Sequence, residues 1–456
     1  VTGAAAGAAR TIDRVRGEPV PRLAVLHHPN SFFPLDLRAE VGDAAELVWV
    51  VDSTMVPEET LLLLRRIGEV VDTAGARLEA TAEALADLGV EGVVSFVDDY
   101  IENAAELAAL LGLRYHTPEV ARTLVNKQRQ RAVLAAAGIP GPAFWTAPGD
   151  LDEPAAAELA ARVAYPAVVK PALGSGSRDI CLVRTPSELR AVLADGPDHG
   201  LVIEEYLVDE ADHEPWYASY LSVESVVSEG RIGHVALTGR FPLAEPFRES
   251  GNFIPALCPA GQVPELLSLV DDTLQALRIT DSLTHTEIKL TPDGPRVIEV
   301  NGRLGGRPPF VLTSVSDTNL FRIACAVALG VPVHIEGLAR CDGVGFWLML
   351  HAPMEARRLD AVVGSDDVAA FDAVSEVRIN RCPGESLDWR EGTDGKIVTI
   401  RGTVGDHDEL RETVARIRAS VTITTDGPGR HGLFDQDGPG AADLTASKVL
   451  ELPSAH

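Results

Sequence analysis

Short apolar runs alternate with longer amphipathic stretches through the first quarter of the chain. Leu23 to Leu26, Leu47 to Val51 and Gly92 to Val97 read as buried strands, while Glu58 to Ile67, Thr81 to Leu88 and Ile101 to Leu111 carry the spacing of helices. That rhythm predicts a doubly wound α/β domain over residues 22–118. Two more helices are predicted at Pro118 to Leu124 and Lys127 to Ala137, stopped by the Gly- and Pro-rich hinge 138–142.

Beyond the hinge the pattern mixes strands and helices. Ala167 to Lys170, Ile180 to Val183 and Leu201 to Glu205 read as strands, and Ser187 to Leu193 as a helix. A hairpin pairs Tyr217 to Val227 with Ile232 to Thr238, and a second runs from His285 to Arg303 around Asp293. A helix from about Thr318 to Leu329 ends at Gly330. The last lobe offers strands at Val344 to Leu350, Val374 to Ile379 and Ile397 to Gly402 and a helix at Asp406 to Ala419. The expected organisation is a flexible leader (1–21), an N-terminal α/β domain (22–118), a lobe with a helical linker (119–200), a second α+β lobe (201–335), a C-terminal α+β lobe (336–425) and a disordered tail (426–456).

Charge narrows the partners. With 67 acidic against 40 basic residues the formal charge is −27, which repels nucleic acid and anionic membrane surfaces alike. No run approaches the ~18 apolar residues of a membrane span, and the opening residues lack the regions of a signal peptide. Five scattered cysteines without metal-ligand spacing suit a reducing cytoplasm. The expectation is a cytoplasmic protein acting on small molecules.

Three stretches carry candidate chemistry. In HTEIKLTPDGPRVIEVNGRLGGRPP (285–309), pairing about Asp293 sets Glu287 opposite Glu299 and turns His285, Glu287, Lys289, Val297, Glu299, Asn301 and Arg303 to one face. Opposed like charges destabilise a sheet unless something positive sits between them. Two carboxylates with an amide oxygen are hard donors suited to magnesium, which keeps phosphate oxygens and water as its other ligands. The alternative is a pair of solvated glutamates offset by Lys289. In YPAVVKPALGSGS, Lys170 closes a strand before Gly174, Ser175, Gly176 and Ser177, a workable anion clamp that matches neither a Walker A loop nor a dinucleotide fingerprint. Most such loops are simple turns. LVIEEYL (201–207) ends a strand with Glu204, Glu205, Tyr206 and Leu207, which either read an adenine edge through their backbone or run into an acidic loop.

Taken together, Lys127 in TLVNKQRQRAVLAAAGIP, Lys170 with its GSGS loop, the EEYL hinge and the EVNGR that ends the acid pair resemble the ATP-grasp superfamily in content and order. YLSVESVV (220–227), FRESGNFIPAL (247–257), THTEIKL (284–290) and RLGG (303–306) are most similar to its L-amino acid ligase branch of carboxylate-amine ligases, over about residues 22–425. The resemblance implies an ATP-grasp fold, with an N-terminal doubly wound domain, a two-lobed ATP-binding region and a C-terminal lobe. It implies ATP and Mg2+ (or Mn2+) as cofactors, small-molecule carboxylate and amine substrates, and a homodimer.

Residue by residue, it implies that Lys127, Lys170 and the 174–177 loop meet the phosphates. Backbone of Glu205 and Leu207 would read adenine, Glu287, Glu299 and Asn301 would hold the metal, and Arg303 would steady the acyl phosphate and the tetrahedral state after it. Glu249, Asn252, His285, Gly305, Gly306 and Arg307 would line the substrate end. The chain departs from the branch at Glu249-Ser250-Gly251-Asn252, where a histidine is common in place of Asn252, and at Arg307, where small or apolar residues are common. Arg307 either binds an anionic substrate side chain or is a surface arginine. The ribose-binding acid is open among Asp209, Glu210, Asp212 and Glu214. The expected reaction is ATP-dependent amide formation through an acyl phosphate. Its rivals are ligation to a carrier-protein amine, a carboxylase-like step, or ATP binding without turnover.

Overall fold

The computed structural model describes residues 19–210 and 213–427. Residues 1–18 of the expected leader (1–21) and 428–456 of the expected tail (426–456) lie outside the described residues. β1 (Arg22–Leu26), β2 (Glu46–Val51), β3 (Glu69–Asp72) and β4 (Val90–Ser95) form a parallel sheet in the order β3-β2-β1-β4. Its central strand is buried on both faces, as helices packed on a parallel sheet require. Two of its elements escape the apolar pattern. The helix Pro34–Val41 buries only Pro34, Leu37 and Val41, and β3 is a half-buried edge strand.

β5 (Phe144–Ala147), β6 (Ala167–Pro171), β7 (Cys181–Val183) and β8 (Leu201–Glu205) make an antiparallel sheet in the order β5-β8-β6-β7. The helices Glu153–Arg162 and Pro186–Ala194 share its core. The linker helices Pro118–Val125 and Lys127–Ala136 are each started by a side chain that accepts a backbone N–H of the first turn, Thr117 from Val120 and Asn126 from Arg129.

Then follow β9 (Tyr220–Ser228), β10 (Arg231–Arg240), β11 (Gly251–Ile254), β12 (Ser282–Thr291), β13 (Gly294–Asn301), β14 (Val344–His351), β15 (Leu359–Val363), β16 (Val374–Ile379), β17 (Lys396–Val404) and β18 (Thr422–Thr425). β15 pairs with β18, and the rest form one antiparallel sheet in the order β13-β12-β9-β10-β11-β14-β17-β16. Segments 201–335 and 336–425 therefore share a sheet, joined where β11 pairs with β14. The helices Val263–Ala276 and His407–Ser420 bury one face of this sheet, through Leu266, Val270 and Leu274 and through Leu410, Val414 and Ile417.

The other face is polar along two cross-strand rows. Register places Glu299, Glu287, Ser222 and Thr238 side by side in one, and Arg240, Asn252, Trp347 and Arg401 in the other. His285 lies between Asn301 and Glu224 on the same face. One expectation fails here. Val297 does not share the face of Glu299, because Ile298 is an extra residue in β13: Glu287 pairs with Glu299, but Ile288 pairs with Val297, which is fully buried on the apolar side. Arg296, not Val297, is the neighbour of Lys289.

No single helix among the described residues is long and apolar enough to cross a membrane. The apolar helices Pro308–Val315 and Leu320–Ala328 turn by 119° from one another and bury Phe310, Val311 and Phe321 in the core shared with the N-terminal sheet.

Candidate active site

The acid pair is compensated from both sides. Lys127, the first residue of its helix, places Nζ 3.0 Å from Glu299 Oε1 and donates to the Gly174 carbonyl oxygen at 2.6 Å. Glu287 faces His285 Nε2 at 3.4 Å and Arg240 Nη2 at 3.8 Å. Burial alone would raise the Glu287 pKa, but the His285 hydrogen bond, the Arg240 guanidinium and Lys170 hold it down to about 2. Lys289, offered by the bland alternative as the offsetting charge, pairs instead with Asp209.

Lys170 is almost buried at the end of β6 and donates to Glu204 Oε2 at 2.6 Å. Arg131 Nε takes the other carboxylate oxygen at 2.5 Å, and its Nη1 and Nη2 donate to the carbonyls of Val297 and Ile298 at the bulge. Burial would push the Glu204 acid up, yet Arg131 and Lys170 together depress it to about 2. The Glu204 carboxylate is thus engaged inside the protein. The Glu205 N–H donates to Ala143 O at 2.8 Å, which narrows its backbone to the carbonyl as a group open to a base. Leu207 N–H meets no acceptor among the described residues, and Tyr206 is exposed. Of the ribose candidates, Asp209 binds Lys289, Glu210 accepts from Gln262 at 3.3 Å and Glu214 pairs with Arg411 at 3.3 Å; Asp212 lies outside the described residues.

The 174–177 loop is docked rather than free. Gly176 O accepts from Thr393 N at 2.8 Å, and Asp179 N donates to Arg390 O at 3.4 Å. Gly392 has φ +62, and a Cβ there would lie 2.2 Å from Gly176 O. The same 390–393 segment reaches Glu249, whose N–H donates to Thr393 Oγ1 at 3.3 Å.

Arg303 donates to Leu304 O at 2.8 Å, to Asn301 Oδ1 at 3.3 Å and to the carboxylate of Asp98, beyond the carboxyl end of β4. Burial opposes its charge, but Asp98, and then Glu299 and Glu287, keep it ionised. The backbone just before it has no room for a side chain: a Cβ on Gly302 would sit 2.8 Å from His116 Nε2, which contacts the Gly302 carbonyl oxygen at 2.8 Å.

Among the residues expected to line the substrate end, Arg240 binds the Glu249 carboxylate and approaches His285 Nε2 at 2.8 Å, while His285 Nδ1 lies 2.9 Å from both oxygens of the buried Glu224. His285 Nε2 lies between Arg240 and Glu287: the neutral ring, with its proton on Nδ1 facing Glu224, accepts there from the guanidinium, and the protonated ring donates to Glu287 instead. Glu224 also accepts from Ser222 at 2.8 Å and Thr238 at 3.0 Å. Burial lowers the His285 pKa, and Glu224 lifts it to a net rise. Gly305 packs on His285, with a Cβ position 2.7 Å from Nδ1, and Gly306 is exposed. Asn252 is fully buried with neither amide atom partnered. Arg307 lies 5.0 Å over the Trp347 ring.

The fold thus brings together Lys127, Lys170, Glu287, Glu299, Asn301, Arg303, Glu249 and His285, with the 174–177 loop beside them. Asp98, Arg240, Glu224 and Thr393 were missed by sequence reasoning. Only the polar beat Ser222–Glu224 in an otherwise apolar strand gave a signal. Among the described residues no group of three or more His, Cys, Asp or Glu gathers as a metal cage. The opposed pair with the Asn301 amide is nevertheless a hard-oxygen set in which Glu287 is held ionised, and it fits a divalent cation that shares its shell with phosphate.

No family model matches the chain. It is 30% identical over 305 residues to the uncharacterized protein y4rH of Sinorhizobium fredii, covering 65% of this chain and 60% of that protein. It is 30% identical over 336 residues to carnosine synthase 1 of Homo sapiens, covering 68% and 39%. The chain therefore spans about three fifths of the first relative and two fifths of the second. The crystal structure of an L-amino acid ligase from Bacillus licheniformis superposes with a TM-score of 0.73 at 18% identity, covering 90% of this chain and all of that one.

Proposed function

We propose that this chain, whose fold is that of the ATP-grasp proteins, is an ATP-dependent carboxylate-amine ligase. It joins an amino acid or similar small acid to an amine or second amino acid and releases ADP and phosphate. The single observation that carries this reading is the polar face on which the opposed Glu287 and Glu299 meet Lys127, Lys170 and Arg303. Such a site is rich in fixed charge and suited to stabilising phosphoryl transfer by position and electrostatics.

A carboxylate is a poor electrophile until it carries a leaving group. Its oxygen takes the γ-phosphoryl group as the bond to ADP breaks. The amine nitrogen then attacks the acyl carbon, the bond to phosphate breaks, and the nitrogen gives up its extra proton. Lys127 and Lys170 offset phosphate charge, and the 174–177 loop covers the phosphates and excludes water from the acyl phosphate. Arg303, fixed by Asp98, faces the oxyanion. The Glu205 carbonyl and Leu207 N–H are the groups offered to adenine. Glu287, Glu299 and Asn301 would hold magnesium or manganese, which when bound supplies charge neutralisation on the phosphates.

The test is ADP release with Mg-ATP and an array of amino-acid pairs, with the products weighed by mass spectrometry. The expected result is ADP formation that depends on both an acid and an amine, with loss of one water from the joined mass. If no acid, alone or paired, stimulates ADP release, the ligase reading is wrong.

A further inference from the structure

At its substrate end the site holds more positive charge than its carboxylates answer. Arg307 donates only to the Gly306 carbonyl oxygen, at 3.4 Å, and among the described residues no carboxylate comes within the 4.0 Å of an ion pair. It is also the N-cap of the helix Pro308–Val315, where the helix dipole already favours an anion and disfavours a cation. The two prolines at the helix start carry no N–H, so the guanidinium is the main donor at this terminus. In a chain of formal charge −27, an unanswered guanidinium beside the reacting groups needs a reason.

Its surroundings supply one. Lys396 lies on the same sheet face, opposite His351, with its side chain 14% exposed and Asp394 3.4 Å away as its one ion-pair partner among the described residues. Burial, and then Arg307, push the Lys396 ammonium below the ordinary lysine value. Burial lowers Arg307 as well, with Asp394 pulling it up and Arg378 pushing it down. The two cations thus repel one another with one shared carboxylate near them. Beneath Arg307, Trp347 Nε1 and both amide atoms of its cross-strand neighbour Asn252 are buried without partners. Buried polar groups left unpaired are costly, so a floor of this kind is suited to a polar ligand group. The position is contiguous with the reaction centre: Asn252 also neighbours Arg240, which binds Glu249, and Glu249 N reaches Thr393, three residues before Lys396.

We propose that Arg307 and Lys396, over the Asn252 amide and the Trp347 indole N–H, form a subsite for a second anionic group, a carboxylate or phosphonate, on the side chain of one amino-acid substrate. This rests on the ligase reading and adds a substrate class to it. Arg307 presents a planar fork to the anion and Lys396 a point charge.

The test compares kcat/KM for ADP release across acidic and neutral partners: L-glutamate against the isosteric L-glutamine, L-aspartate against the isosteric L-asparagine, and 2-amino-4-phosphonobutyrate against norleucine of similar chain length. The full chain and the variants Arg307→Met, Arg307→Lys and Lys396→Gln are measured, each first checked for native circular dichroism. The expected result is a preference of about 10- to 100-fold for one or more acidic members. Arg307→Met should collapse that ratio, with partial recovery in Arg307→Lys. Which acidic member wins tells carboxylate from phosphonate. Neutral members used as well as acidic ones, or a ratio unmoved by Arg307→Met, would overturn the subsite. Calorimetric titration of the same six compounds without ATP separates the two readings. If no compound is turned over but an acidic one binds the full chain and not Arg307→Met, the ligase reading fails and the subsite stands. If none binds differentially, the subsite fails too.

Discussion

Gly392 is the position where one added methyl group should disclose how the 174–177 loop is held. A Cβ built there lies 2.2 Å from Gly176 O, 2.7 Å from Ser177 C and 2.8 Å from Arg178 N, all backbone atoms that no rotamer change moves. Real contacts of this kind do not fall below 3.0 Å, so the loop and the 390–393 segment must part by about 0.8 Å. The backbone at φ +62 and ψ −135 adds strain for any residue with a side chain, of order 1–3 kcal/mol. The hydrogen bond from Thr393 N to Gly176 O, 2.8 Å now, stretches or breaks, a further ~1 kcal/mol. Displacement of a positioning loop by about 1 Å costs on the order of 100-fold in rate. Gly392→Ala should therefore lower kcat/KM for ATP by about 10- to 100-fold and raise ADP release without amine, because a loop held away admits water to the acyl phosphate. The assay is coupled ADP release at varied ATP, with and without the amine, beside a thermal melt. An unchanged kcat/KM for ATP in a folded Gly392→Ala protein would refute the idea that docking on 390–393 sets the loop.

Three other outcomes follow from the same geometry. Glu287→Gln and Glu299→Gln should each lower kcat by at least about 100-fold while leaving the melting temperature within a few degrees, read from ADP release and calorimetry. Asp98→Asn removes the charge that fixes Arg303 and should lower kcat about 10-fold or more, with a smaller change in KM for ATP, because under the proposed mechanism Arg303 acts at the acyl group and not on the nucleotide. The third concerns acid. A carboxylate whose folded pKa is depressed stabilises the fold above its unfolded pKa and loses that contribution as pH falls through the folded value. For Glu204, from an ordinary 4.5 to about 2, the window is pH 4.5 down to 2, and the contribution is roughly 3 kcal/mol. Urea unfolding at pH 7 and pH 3 should show a steeper acid loss in the parent than in Glu204→Gln, which is weaker at pH 7 because Lys170 and Arg131 are left buried and unpaired. Equal pH slopes would discard the assignment.

What was legible beforehand had short-range causes. The ATP-grasp fold followed from motif order, and the opposition of Glu287 and Glu299 followed from counting about a tight turn. The helices Glu58–Ile67 and Ile101–Leu111 and the strand Leu201–Glu205 match the apolar pattern to the residue. The misses have long-range causes. Asp98 is one more acid after a strand until the fold carries it 205 residues along the chain to Arg303. Arg240 looks like the charged end of a hairpin arm, and only the register of β10 with β11 sets it beside Asn252. β11 itself, four residues in Glu-Ser-Gly-Asn-Phe-Ile, carries too little periodicity to announce a strand that joins two lobes in one sheet.

The extra residue Ile298 shows how such a miss bears on the site. Strict alternation turned Val297 outward, beside Glu299. In the structure the bulge sends Val297 into the core beside the helix Val263–Ala276, and on this edge strand the carbonyls of Val297 and Ile298 take their donor from outside the sheet. Arg131 answers both carbonyls, and its Nε binds Glu204, whose other oxygen binds Lys170. Val297 N meanwhile donates to Pro140 O in the hinge at 2.8 Å. Contacts around this irregularity thus tie the acid pair to the strand carrying Lys170 and to the linker between the lobes. The separation of Glu287 from Lys170 is then set by a buried chain of charged hydrogen bonds rather than by surface side chains. That is the rigidity a site working by position and electrostatics requires.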